Sequence, residues 1–371
     1  MIGSAIALNL LLKVPLVAGC ALTIVDVLII LIFYRPNGTM RRLRAFEFFV
    51  MALVIGVVIC FCIQLSYIKD TLISEVFRGY IPSATIVRNK GLYLSCGILG
   101  ATVMPHSLYL GSGIVQTRLR HFDTKAGNFS APLLVSDNES KIIYRPSLAA
   151  IQSCLTYSTM EIAFSLFTFA LFVNSAILIV AGASLSSDTG AQSADLFGIH
   201  DLLAKTLAPA AGTVFALALF FSGTSAGIVC TIAGQMLSEG ALNWTIAPWL
   251  RRLLTRSISI TPSIIIAGAV GNDGLSAALN ATQVALSVVL PFVSAPLIYF
   301  TCRNKYMIVG GSERAEDDDG LERVATDEVD AGPEVVKMRN HWLVAVFSVL
   351  VWLVIAIMNV ALLVLVGLGK A

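Results

Sequence analysis

Long apolar runs separated by short polar connectors dominate this 371-residue chain. The runs cover residues 14–34, 45–67, 92–119, 148–181, 210–236, 258–270, 276–300 and 342–368. A helix needs about 20 apolar residues to cross the hydrocarbon core of a bilayer. Most of these runs meet that length, and 148–181 is long enough to tilt or to begin in the interface. Residues 1–12 are also apolar, but they are too few to span. They lack the basic start and small-residue cleavage site of a signal peptide, and they read as the tail of a helix whose beginning is missing. The pattern predicts eight spans and a stub: an all-α polytopic membrane protein.

Composition supports this class. The chain is 57% hydrophobic and 13% charged, with mean hydropathy +0.83, whereas soluble domains carry about 25% charged residues. A net charge of +2, with no basic block interleaved with aromatics, gives no sign of nucleic-acid binding. The seven cysteines lie in or beside apolar runs and form no Cys-x-x-Cys pair, so they read as buried thiols. Connectors 35–44, 118–146, 251–256 and 303–339 carry the Arg and Lys excess near span ends. The positive-inside rule puts them in the cytoplasm, which leaves the C-terminus outside. The acceptor sequences at Asn37, Asn128 and Asn138 then face the cytoplasm and are expected to stay unglycosylated. Residues 271–274, Gly-Asn-Asp-Gly, read as a tight turn. The run Glu316-Asp317-Asp318-Asp319 reads as part of a solvated acidic linker.

The most informative stretch is Gly100-Ala101-Thr102-Val103-Met104-Pro105-His106. It interrupts an apolar run. Pro105 has no N–H, so the Ala101 carbonyl loses its helical partner, and in lipid such a carbonyl needs another. Gly100 and Pro105 mark the helix break. Met104 puts a thioether beside the break, a ligand type that favours soft transition metals over Ca²⁺ and Mg²⁺. His106 adds an imidazole that titrates near neutrality. A broken membrane helix with these groups fits an ion site. The competing readings are Met104 as a gap filler and His106 as a histidine hydrogen-bonded within the bundle.

Other polar residues in apolar runs are candidates by default. Asp26 and Glu161 serve either transport or structural hydrogen bonding. Glu47 reads as a first-turn acid favoured by the helix dipole. Gln283 offers an amide oxygen to an ion or to a neighbouring helix. Arg256 lines a polar exit route or anchors a span end. No nucleophile elbow, zincin motif or phosphate loop is present, which disfavours an enzyme and any resident cofactor.

The stretch 100–110, Gly-Ala-Thr-Val-Met-Pro-His-Ser-Leu-Tyr-Leu, closely resembles the sixth-helix signature of the Nramp divalent-metal transporters. Other segments are similar in the same order: residues 2–11 resemble the end of that family's third helix, 22–26 its fourth, 233–240 the end of its eighth, 254–262 the start of its ninth, and Leu290-Pro291-Phe292 the end of its tenth. Gly111 stands where many members have a second histidine, as in the fungal branch.

The resemblance implies a LeuT-like inverted-repeat helix bundle that moves Mn²⁺, Fe²⁺ and protons through a plasma, endosomal or vacuolar membrane. It assigns metal ligation to the Ala101 carbonyl, the Met104 thioether and Gln283. It assigns the proton pathway to His106; Arg256, from the exit-route reading above, is the second proton-pathway candidate. It divides the chain into a remnant of the first repeat (1–67), the second repeat (92–301), an acidic cytoplasmic loop (302–340) and a last helix (342–368). The family's first-helix Asp-Pro-Gly-Asn motif, which supplies two further metal ligands, is absent from this sequence. The chain is therefore expected to be N-terminally truncated, without the first two helices and most of the third. The alternative is a non-transporting partner or regulator of a full-length relative.

Overall fold

A computed structural model of the protein describes residues 2–23, 40–68, 72–86, 91–127, 144, 146–185, 195–240, 248–269, 271–309 and 336–369. Asp26, the Asn37, Asn128 and Asn138 acceptor sites and the acidic run 316–319 lie outside the described residues.

The described chain is a helix bundle. Its elements are α1 (Ile2–Leu12), α2 (Met40–Ser66), a short α3 (Ile73–Gly79), α4 (Gly91–Thr102), α5 (Pro105–Ala126), α6 (Leu148–Ser165), a π-helical turn (Leu166–Ala170), α7 (Leu171–Leu185), α8 (Leu196–Thr206), α9 (Pro209–Gly240), α10 (Pro248–Ala269), α11 (Gly271–Thr301) and α12 (Trp342–Gly367). Residues 16–23 are also helical. Six stretches among the described residues are long and apolar enough to cross a membrane: Glu47–Ser66, Gly91–Ala126, Leu148–Ser184, Pro209–Leu237, Ala277–Thr301 and Trp342–Gly367. The chain is thus a multi-pass integral membrane protein.

Three expectations need correction. Residues 271–274 are not a tight turn but the first turn of α11; glycine is permitted in a helix at modest cost, and the long apolar run behind it wins. The polar connector 182–207 contains a helix, α8, because Asp195 caps it by accepting a hydrogen bond from Gly198 N–H at 2.7 Å. The run at 258–270 belongs to a helix that starts ten residues earlier, at Pro248, where proline suits a first helical position. The connector 303–339 is pinned at both ends by a short antiparallel ladder, Ile308 opposite Lys337 and Val309 opposite Val336.

α9 organises the bundle. It packs against α1, α2, α5, α8 and α10 and contributes Ala211, Ala216, Ala218, Ile228, Ile232 and Ala233 to the core. In lipid, apolar surface alone does not drive helices together, so close packing of small residues does. Gly223 shows this: a Cβ there would stand 2.4 Å from Ser4 Oγ and 2.9 Å from Ser4 N on α1. The outer helix α12 turns Phe347 and Ile357 outward and buries Asn359 and Leu362. Asn359 Oδ1 accepts from Ser287 Oγ on α11 at 3.0 Å.

One connector is tied down by a buried acid. Asp123, near the end of α5, accepts from the Tyr144 hydroxyl at 2.6 Å, from Ser147 N–H at 3.0 Å and from Ser147 Oγ. Ser147 in turn caps α6 by accepting from Ala150 N–H at 3.1 Å. Burial, and then the Asp123 carboxylate, push the Tyr144 phenol above its ordinary range. The neutral hydroxyl is the donor the carboxylate requires. Its contribution to stability is complete below the free phenol's pKa of about 10 and fades as pH climbs beyond it.

Candidate ion-binding site

The helix break falls where proline dictates. α4 ends at Thr102 and α5 begins at Pro105. Met104 caps α5 in extended conformation, φ −78° and ψ 130°. Val103 N–H still reaches the Leu99 carbonyl at 2.8 Å, and Ser107 N–H reaches the Met104 carbonyl at 3.0 Å. Between these bonds the Ala101 carbonyl lacks the N–H four residues on that a helix would supply, since residue 105 is proline. The break therefore offers carbonyl oxygens from the end of α4 and the positive end of the α5 dipole within a few ångströms of one another.

The break opens onto a cavity of about 420 Å³. Ala101, Thr102, Met104, His106 and Ser107 line one wall. The end of α6, the π turn and the start of α7 line another through Ser165, Phe169 and Asn174, and α9 contributes Ser222, Ser225 and Cys230. Backbone in a π turn widens the helix and frees carbonyls, a device found at functional sites. His106 Nε2 lies 3.4 Å from Cys230 Sγ across the α5–α9 interface. The described lining contains no Asp or Glu, so its polarity comes from carbonyls, hydroxyls, one amide, sulfur and imidazole.

The other sequence candidates fall elsewhere. Gly100 is inside α4 rather than at the break, and its role is contact. A Cβ on Gly100 would stand 2.0 Å from the Gln283 carbonyl oxygen and 2.7 Å from Ser287 N. Gln283 therefore backs the broken helix from α11. It is absent from the cavity lining, and its side-chain oxygen is buried with no hydrogen-bond partner among the described residues. Arg256 falls on α10, and its side chain lies outside the described residues.

Two acids named from the sequence meet one arginine that was not. α5 runs on to Ala126, so Arg118 sits on a helix instead of opening a loop. At about 1.5 Å per residue it is some 18 Å along α5 from His106. Its guanidinium grips Glu161 on α6 through both carboxylate oxygens and reaches Glu47 Oε1 on α2 at 3.2 Å. Glu47 is two turns inside α2, which begins at Met40, so its partner is a cation and not the helix dipole. The fork of an arginine suits a bidentate carboxylate, and the triad ties α5 to α2 and α6 beyond the cavity. The side chains are 21% (Arg118), 37% (Glu47) and 47% (Glu161) exposed, so solvent screens the pairs. Arg118→Gln is expected to lower the melting temperature of the detergent-solubilised protein. A double-mutant cycle with Glu161→Gln should give a coupling of about 1 kcal/mol; zero coupling would mean the contact holds nothing.

Asn174, Ser222, Ser225, Cys230 and the π turn were not identifiable as site elements from the sequence. Asn174 is a polar residue within an apolar run, and the Gly, Ser and Thr content of α9 is unusual for a span; both are signals of a polar interior face, but neither points to this cavity.

Comparison with known proteins places this geometry. A family profile described as "Natural resistance-associated macrophage protein-like", Nramp, matches residues 1–310. The manganese transporter SMF1 of Saccharomyces cerevisiae is 47% identical over 404 residues, a match covering 100% of this chain and 70% of that protein. The manganese transporter pdt1 of Schizosaccharomyces pombe is 47% identical, with 100% and 68% covered. The iron transporter SMF3 of S. cerevisiae is 46% identical, with 97% and 75% covered. Among solved structures, the Eremococcus coleocola manganese transporter in complex with an aromatic bis-isothiourea compound superposes with a TM-score of 0.69 at 27% identity, covering 96% of this chain and 66% of that one.

Proposed function

Because this chain belongs to the Nramp family and has its LeuT-like helix-bundle fold, we propose that it carries divalent transition-metal ions, Mn²⁺ and Fe²⁺, across a membrane. The observation that supports this most is the cavity at the α4–α5 break, lined on one side by Ala101, Met104 and His106. A carbonyl oxygen and a thioether together accept a borderline divalent ion, while the sulfur penalises Ca²⁺ and Mg²⁺. Gln283, with its unpartnered buried oxygen, is the ligand we assign to α11; it reaches the ion by a shift of α11 against α4. His106 takes up the coupled proton, and Arg256 lies on the proton's exit route. In this reading residues 1–67 belong to the first repeat, 92–301 form the second, 302–340 are the cytoplasmic loop and 342–368 the last helix.

A second reading is kept for one reason. The described cavity has no carboxylate, and the chain contains no Asp-Pro-Gly-Asn, so an ion there meets neutral ligands apart from any charge supplied by protonation change. On this reading the chain is a non-transporting partner or regulator of a full-length relative. Proteoliposomes holding the purified chain and an Mn²⁺-quenched dye separate the two. The expected result is saturable Mn²⁺ entry above that of empty liposomes, faster when the outside is acidic. Folded, monodisperse protein that gives only background entry would leave the regulator reading.

A further inference from the structure

The cavity also brings together two metal-ligating side chains, His106 and Cys230, of which the transport reading uses only His106, and that for the proton. His106 is in the first turn of α5, and Cys230 is on α9. Their Nε2 and Sγ atoms lie 3.4 Å apart, and both residues line the cavity. The spacing is held by rigid elements: one helical turn beyond His106, Leu110 packs on Ile228, Ile232 and Ala233 of α9 in a buried cluster. We propose that His106 and Cys230 form a two-residue site for thiophilic d¹⁰ divalent ions, Cd²⁺ and Zn²⁺, within the cavity.

The geometry suits such an ion. With Zn–S near 2.3 Å and Zn–N near 2.0–2.1 Å, an N···S separation of 3.4 Å corresponds to an S–metal–N angle of about 100°, close to tetrahedral. The remaining positions are open to water in the cavity. Binding breaks the Sγ–H bond, forms the sulfur–metal bond and passes one proton to water. Thiolate and imidazole together select Cd²⁺ and Zn²⁺ over the harder Mn²⁺. The ligation does not rest on the proposed transport function.

The test uses the purified full chain in detergent, with Cd²⁺ as the probe. Maleimide alkylation of Cys230, followed by mass spectrometry of its peptide, should slow at least roughly tenfold in Cd²⁺ and not in equal Mn²⁺. Outer-shell changes alone shift metal affinity by about 10–100-fold, so loss of the imidazole in His106→Gln should raise the Cd²⁺ needed for protection by roughly a hundredfold. The ultraviolet thiolate-to-cadmium absorption should vanish in Cys230→Ser and persist in Cys154→Ser, a cysteine outside the cavity lining. Because the alkylation measurement needs no substitution, it stands even where a variant folds poorly. Alkylation of Cys230 indifferent to Cd²⁺, or an unchanged absorption in folded Cys230→Ser, overturns the proposal. Cd²⁺ protection without Mn²⁺ uptake would remove the transport reading and leave this site, and Mn²⁺ uptake without Cd²⁺ protection would do the reverse.

Discussion

Gly100→Ala is expected to abolish Mn²⁺ uptake and to destabilise the helix bundle by about 3 kcal/mol or more. The added methyl would stand 2.0 Å from the Gln283 carbonyl oxygen and 2.7 Å from Ser287 N. Both atoms belong to the α11 backbone, which cannot swing aside as a long side chain does. Overpacking against movable side chains costs about 1–3 kcal/mol; backbone contact puts this substitution at or above the top of that range. Relief requires α4 and α11 to separate, which breaks up the most extensive helix pair among the described elements. It also shifts Ala101, the next residue, out of the cavity wall, and strains the buried Ser287–Asn359 hydrogen bond. Gly97, one turn earlier on α4, supplies the control: a methyl there meets only Val284 Cγ2 at 3.6 Å, an ordinary contact. Thermal melting of the two variants in detergent checks the claim. Equal melting temperatures for Gly100→Ala and Gly97→Ala would refute the close-approach account.

Met104→Leu is the sharper test of chemistry, because it nearly conserves volume and removes the sulfur. Uptake of Mn²⁺ is expected to fall roughly 10–100-fold, which is the loss of about 1.4–2.8 kcal/mol of ion binding. Competition by Ca²⁺ should rise at the same time if, as proposed, the thioether is the group that rejects hard cations. Met104→Ala should lose uptake too, but it also opens a void, so it cannot separate ligation from packing. Wild-type uptake and selectivity in Met104→Leu would mean that Met104 fills a gap, the competing reading its composition allows.

Some of this was legible in the residues because its causes are local. Pro105 lacks a donor whatever surrounds it, so the break at 103–104 and the orphaned Ala101 carbonyl follow from covalent structure. Apolar runs of about 20 residues insert as helices because lipid offers no other partner for the backbone. The signature around Met104 and His106 carried the family, and the family match over residues 1–310 agrees with it. The tight turn expected at 271–274 failed for the opposite reason: turn chemistry was read locally while the continuing helix of α11 decided the conformation.

Membrane class and the broken helix were thus set by each segment's own residues. Tertiary structure alone decided that Cys230 faces His106 across 124 positions of sequence. It also decided that the π turn and α9 close the cavity around Met104, that Arg118 joins Glu47 and Glu161, and that Gly100 is a contact point for α11 rather than a break. Each of these depends on the rotation and depth of one helix against another. Those are fixed by close packing of small residues over whole interfaces, a property that no single stretch of sequence contains.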